Sequence, residues 1–398
     1  MRDELVEIFM AGVRRADPAA AMAKALPTCQ RPDIILALGK AAIAMARLAL
    51  RQFPNTPCLI VTNAENAADV PGARVIVGGH PVPNAGSHAA GAALLKASRD
   101  LTDGQRALVL VSGGGSALAV APLGDVTLAE KAAVSHLLLG AGLDIAAMNL
   151  VRQNLSALKG GGLARAISPA AAEVLVLSDV VGDTLAAIAS GPCVPPLGGP
   201  DHARAILEQA GLWSEIAPSC RAVLGAAAPT EPPHMPHRLI GSNRLSAEAM
   251  LAACPGALLD PVPLEGDVSD AALRIVAAAH LDGPATRLWG GETTVVLRGD
   301  GRGGRNQELA LRVALALRDF GRPWAFLSGG TDGRDGPTDA AGALVDDGTL
   351  TRIAAAGLDL EAILARNDSY AALQASGDLL MTGGTGTNVA DLQVLRLG

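Results

Sequence analysis

"DIILALGKAAIAMARLALRQF", residues 33 to 53, decides the fold class. The run Ile34–Leu38 is short, apolar and stopped by Gly39, which is how a buried strand reads. An Ala-rich helical stretch follows at once. The same unit recurs along the chain: "RALVLVSGGGSA" (106 to 117) leads into a helical region after Pro122, and "AEVLVLSDVVGD" (172 to 183) runs on to "ASGPCVPP" (189 to 196). Such alternation predicts an α/β fold with mainly parallel or mixed sheets covered by helices. Strands this continuously apolar belong where helices cover both faces.

A chain of 398 residues exceeds one ordinary core, so two domains are expected. The divide is expected at "AAAPTEPPHMPH" (226 to 237), whose four prolines read as a linker, giving domains 1–230 and 231–398. Hydrophobic residues at 49% and charged residues at 18% supply a sizeable core, while aromatics at 2% leave it to Ala, Val, Leu and Ile. A net charge of −7 argues against nucleic-acid and anionic-membrane partners. The five cysteines are scattered without a C-x-x-C pair, which predicts reduced thiols in a cytoplasmic protein. "MRDELVEIFMAGV" carries acids where a signal peptide wants bases, so it reads as a helix of the fold. A monomer or homodimer acting on small molecules is expected.

Ligands of parallel α/β sheets bind beyond the C-terminal strand ends, and polar residues gather there repeatedly. Lys40 follows the first strand, but Ile34 and Ala41 stand where a Walker A loop needs glycine and a hydroxyl. It is left as a point charge for a phosphate. Ser112, Gly113, Gly114, Gly115 and Ser116 form a nest of backbone donors with two hydroxyls. Their spacing is not that of a hydrolase elbow, because position 118 is Leu. Asp179 and Asp183 flank Gly182 at a spacing suited to Mg²⁺. "NLVRQNLSALKGGGLA" (149 to 164) reads as a helix placing Arg152, Ser156 and Lys159 on one face. His80 lies in a loop, "GGHPVPNAGSH", and is read as structural.

"TTVVLRGDGRGGRNQELALRVALAL" (293 to 317) reads as strand, glycine turn and helix, with Gly299, Gly301 and Gly304 at the spacing of a dinucleotide fingerprint. The acid required about 20 residues beyond those glycines is missing. The next strand, "WAFLSGG", ends in Ser328 and Gly329. The arginines suit a phosphate clamp better, so the turn is expected to offer its donors, Gly301 to Gly304, to an anionic ligand.

Taken in order, "GKAAIAMA", "GGHPVPNAGS", "VSGGGSAL", "NLVRQNLSALKGGGLA", "LSDVVGD…ASGP", "WGGETTVVLRGDGRGGRNQELAL", "SGGTDGRDGPTDAAGA" and "TGGTGTNVADL" closely resemble the glycerate 2-kinases of the MOFRL type. The same family carries an older label, hydroxypyruvate reductase. The resemblance implies a Rossmann-like N-terminal domain, a MOFRL-type C-terminal domain and an active site in the cleft between them. It implies ATP- and Mg²⁺-dependent phosphorylation of D-glycerate at the 2-hydroxyl. Lys40 and Arg305 match the family's catalytic lysine and arginine. Asp179, Asp183, Glu292 and Asn388 match further site positions, with Asp179 expected among the catalytic residues and Asp179 and Asp183 expected to hold the metal. Lys159, Gly303, Gly304, Asn306, Glu308 and Asp332 fall in the matching motifs and are expected at the substrate or the nucleotide. Cys193, Gly329 and Gly384 depart from the family's usual threonine, alanine and proline, and none removes a charge. The competing readings are an NAD(P)H-linked hydroxypyruvate reductase and a sugar-acid-binding sensor.

Overall fold

A computed structural model describes all residues from Met1 to Gly398. Ile34–Leu38 forms β1, and Cys58–Thr62 (β2), Ala73–Val77 (β3), Arg106–Ser112 (β4) and Ala171–Leu177 (β5) pair with it and each other in parallel. With His237–Gly241 (β6) at the far edge, the strand order is β3-β2-β1-β4-β5-β6. This is the order of doubly wound nucleotide-binding sheets, whose ligand crevice lies where the winding reverses, between β1 and β4. Val109, Leu110, Leu175 and Val176 are buried because helices cover both faces. The alternation in the sequence thus yields the expected parallel sheet.

The second sheet comprises Leu258–Leu259 (β7), Leu264–Asp267 (β8), Thr286–Thr294 (β9), Trp324–Gly330 (β10), Gly342–Asp346 (β11), Leu379–Leu380 (β12) and Asp391–Leu397 (β13). Its order is β12-β11-β10-β13-β9-β7, with β8 also on β9. Pairings among β9 to β13 are antiparallel, and only β7 and β8 run parallel to β9. It is therefore a mixed sheet. One face buries Trp289, Phe326, Val345 and Leu395 under helices that include Arg305–Ala316.

The chain divides into two units, Met22–Ser178 with Asp183–Ile240, and Met1–Ala21 with Asp179–Gly182 and Gly241–Gly398. Two expectations change. The proline-rich stretch before β6 stays within the first of these units, and Pro232 packs against Gly161, so it is not an interdomain linker. The helix Arg2–Ala16 belongs with the C-terminal sheet, not with the N-terminal one. Leu5, Ile8, Phe9 and Val13 fall on one helical face and bury against Leu288, Leu327, Leu392 and Val394. Gly12 lets the helix approach closely, since a Cβ would sit 2.5 Å from Leu392 Cδ1 and displace that side chain. Arg2 completes the attachment by pairing with Asp346 and with Asp378 at 2.9 Å.

Candidate active site

In the parallel-sheet unit, β1 and β4 deliver Gly39–Lys40 and Ser112–Ser116 side by side. The Lys40 amide donates to Gly113 O at 2.9 Å and the Ala41 amide to Ser112 Oγ at 3.1 Å. Gly39 has φ 128°, and a Cβ on it would meet Ser112 Oγ at 2.2 Å. Ser112 and Gly113 thus serve to hold the Lys40 turn. A Cβ on Gly114, with φ 81°, would sit 3.2 Å from Lys40 Cε and from His80 Cδ2, so the lysine lies over the glycine turn.

Ser116 joins this turn to the next loop through a 2.7 Å bond with Ser190 Oγ. Ala189 and Ser190 take left-handed φ values of 50° and 59°. Buried Gln153 pins that turn through Nε2, which donates to Ala186 O at 2.9 Å and Ser190 O at 3.2 Å. Such conformations persist only where their surroundings hold them. Lys159 Nζ donates to Ser116 O at 2.6 Å. Burial, then the neighbouring Arg152 charge, pulls its pKa down to about 7.

The expected single helical face does not exist. The helix Ile145–Asn154 stops five residues before Lys159. Ser156 lies beyond its end, where it donates to Ala121 O at 3.3 Å and accepts from the Leu158 and Lys159 amides, both at 3.3 Å. A serine bonding its own local backbone competes with helical bonding. Arg152 and Lys159 nevertheless line one cavity of 270 Å³.

The C-terminal unit builds a second cluster around Arg305, the first residue of its helix. Nε and Nη2 form a fork on Asp391, at 2.6 and 3.0 Å, while Nη1 reaches Glu292 Oε1 at 3.0 Å. Burial opposes the guanidinium charge, but Asp391 and Glu292 outweigh it and raise the pKa. Glu292 is raised by burial and by the charges of Asp391, Asp179 and Asp332, against the opposing pull of Arg305. Glu292 thus sits among three further carboxylates and one guanidinium.

The glycine turn before Arg305 is partly engaged by the chain itself. The Gly301 amide donates to Arg366 O at 2.9 Å and the Arg302 amide to Asp368 Oδ1 at 3.1 Å. The Asn306 and Gln307 amides, in the first turn of the helix, donate to buried Asp335 at 3.1 and 2.8 Å. The anion at this helix start is a carboxylate of the chain itself. Burial comes first among the influences that push Asp335 up to about 6, with the two amides resisting. Gly304 is required because a Cβ would lie 2.2 Å from the Asp335 carboxyl carbon, and Gly303 because one would lie 2.1 Å from Ser369 Oγ. The preceding strand also ends earlier than its apolar run, at Thr294, leaving Val296 and Leu297 exposed.

Asn306 and Glu308 are buried and engaged. Asn306 Oδ1 accepts from Ser328 Oγ at 2.6 Å. Glu308 accepts from Arg312 at 2.7 Å and from Asn367 Nδ2 at 2.9 Å. Both brace the loop from within the chain. Asp332 accepts from the Arg334 amide at 2.9 Å, and exposed Asn388 from the Ala390 amide at 3.2 Å. Asp183 takes a left-handed φ of 54°. Sequence reading missed Asp391 and Asp335. Each sat inside a quoted motif, but only the fold shows that Asp391 meets Arg305 across 86 positions.

Residues 4–225 match the family model described as a domain of unknown function, DUF4147, and residues 285–391 match the MOFRL family. The chain is 36% identical to the D-glycerate 2-kinase of Thermotoga maritima, over 97% of this chain and 96% of that one. It is 39% identical to an Agrobacterium vitis protein whose name only proposes a hydroxypyruvate reductase, over 100% of this chain and 94% of the relative. A crystal structure of glycerate kinase from Thermotoga maritima superposes with a TM-score of 0.94 at 34% identity, covering 100% of this chain and 99% of that one. The protein is thus a two-domain α/β chain with a C-terminal MOFRL region. It belongs to the family of these glycerate kinases.

Proposed function

We propose that the protein phosphorylates D-glycerate at its 2-hydroxyl with ATP and Mg²⁺, giving 2-phosphoglycerate and ADP, as a cytoplasmic enzyme of carbohydrate metabolism. The observation that carries this reading is the full-length likeness to the Thermotoga maritima kinase, together with Lys40 and Arg305 at their motif positions. The 2-hydroxyl oxygen attacks the γ-phosphorus, the bond from that phosphorus to the β–γ bridging oxygen breaks, ADP leaves and the hydroxyl proton is released. Such a transfer asks the protein for positioning and charge neutralisation. Lys40, held over the glycine turn, neutralises the transferring group as a point charge. Arg305, its plane fixed by Asp391, offers the half-exposed remainder of its guanidinium.

Asp179 and Asp183 would hold Mg²⁺, which when bound supplies positive charge to the phosphates. The donor chemistry fits it, since carboxylate oxygens are what Mg²⁺ takes and Asp179 acts on Glu292 as a neighbouring negative charge. No three His, Cys, Asp or Glu side chains form a cage, so the cation would complete its shell with phosphate and water.

The reductase reading has the Rossmann strand order in its favour, but fold alone does not assign chemistry. The fingerprint spacing occurs on the mixed sheet, where the Gly301 amide donates to Arg366 O and the Arg302 amide to Asp368. The turn after β1, where a dinucleotide fold needs that spacing, reads Gly39, Lys40, Ala41, Ala42, and β2 ends at Thr62, followed by Asn63, without an acid. Two assays separate the readings. Purified protein should release ADP on adding D-glycerate to ATP and Mg²⁺, and should leave NADH unoxidised with hydroxypyruvate. The reverse pair of results would overturn the proposal.

A further inference from the structure

The 270 Å³ cavity of the parallel-sheet unit has a division of labour in its walls. One wall is apolar: Pro81 and Val82 from the loop after β3, and Leu128 and Leu139 from the helix Leu128–Gly140. Val82 and Leu139 are 72% and 57% exposed, an unusual use of large apolar side chains around a concavity. That helix is firmly started by a capping box of Thr127 and Glu130, so the wall is fixed.

The other wall is cationic, and no carboxylate pairs with it. Lys131 is satisfied internally, donating to Arg152 O at 2.8 Å and Leu155 O at 3.1 Å. Lys159 holds only Ser116 O, and Arg152 holds Ser135 Oγ through Nε at 3.2 Å, leaving its two Nη groups for a ligand. Two cations desolvated together without a counter-ion are costly unless a ligand supplies the charge. The cationic end adjoins Ser116, the last residue of the turn after β4 that is hydrogen-bonded to the Lys40 turn at the switch point of the sheet. A ligand with an apolar body and an anionic tail therefore fits in one direction only, body against Leu139 and tail past Lys159 toward Lys40. At 270 Å³ the cavity approaches the size of pockets for drug-sized ligands, about 300–1,000 Å³. A three-carbon acid would leave most of it empty.

We infer that this cavity is the nucleotide site, with the nucleoside on the Val82–Leu139 wall and the phosphates on Arg152, Lys159 and the Ser112–Ser116 turn. The inference rests on the kinase reading for its ligand and assigns the triphosphate to the parallel-sheet unit. It is tested by calorimetric titration of the full-length protein with ADP, beside steady-state kinetics for ATP and D-glycerate. Leu139→Asp places a charge on the exposed apolar wall without disturbing the core, and Arg152→Ala removes the phosphate donors. Each should weaken ADP binding by about tenfold or more and raise KM for ATP, with KM for D-glycerate within about twofold. Unchanged ADP affinity in both variants, a rise confined to the KM for D-glycerate, or no ADP binding by the unaltered protein would overturn it. If ADP binds and both variants lose it, yet glycerate is never phosphorylated, the site stands and the proposed reaction falls.

Discussion

Asp391 holds the Arg305 guanidinium in plane through two parallel bonds, so the proposed phosphate contact would find the arginine already oriented. Arg305→Ala should lower kcat about 10³-fold or more, and Arg305→Lys should recover little of it, because the charge returns without the fork. A near-normal kcat for Arg305→Ala would remove it from catalysis. Asp391→Asn should act through the arginine, lowering kcat with little change in KM, and costing about 3 kcal/mol of stability from a broken buried pair. Denaturant titration beside kinetics reads both effects. Lys159 gives a pH signature. Its pKa falls from 10.5 to about 7 on folding, so between those values the unfolded chain binds the extra proton and stability rises with pH. Lys159→Met should therefore raise Tm clearly at pH 6 and much less near pH 10, and an equal shift at both would contradict the burial argument. Lys40 and Arg305 were legible as charges in glycine-rich strand-to-helix turns. Asp391 was not, since an aspartate opening a strand carries no local mark of a partner 86 residues away.

At the scale of elements, the glycine turn before Arg305 shows how one spacing serves two ends. Its glycines admit neighbouring backbone and the Asp335 carboxylate where a nucleotide loop admits pyrophosphate. Gly304→Ala should thus destabilise by about 1–3 kcal/mol through overlap with Asp335, read by denaturant unfolding, with no nucleotide-binding defect beyond that loss. A selective fall in ADP affinity would restore a ligand role to the turn. The periodicity of the first sheet was readable because parallel, doubly covered strands are continuously apolar. The antiparallel pairing of β10 with β11 and β13 was not, because buried strands look alike in either direction. The helix over 149 to 164 was overextended because Ser156 competes for the backbone in a way that spacing does not record.

Across the whole molecule, the first helix belongs to the last sheet. Its apolar stripe was visible, but nothing in a stripe names the surface it covers. Removing residues 1–16 should expose Leu288, Leu327, Leu392 and Val394 and lower Tm by several degrees or cause aggregation, as seen by calorimetry or light scattering. An unchanged Tm would deny the helix that role. The likeness to the Thermotoga maritima kinase spans both units, so the account stands or falls on the proposed reaction. The most direct measurement is ³¹P NMR of the product formed from ATP, Mg²⁺ and D-glycerate. The account predicts a phosphomonoester on the 2-carbon, and a signal only from the 3-phosphate, or no new phosphoester at all, would contradict it.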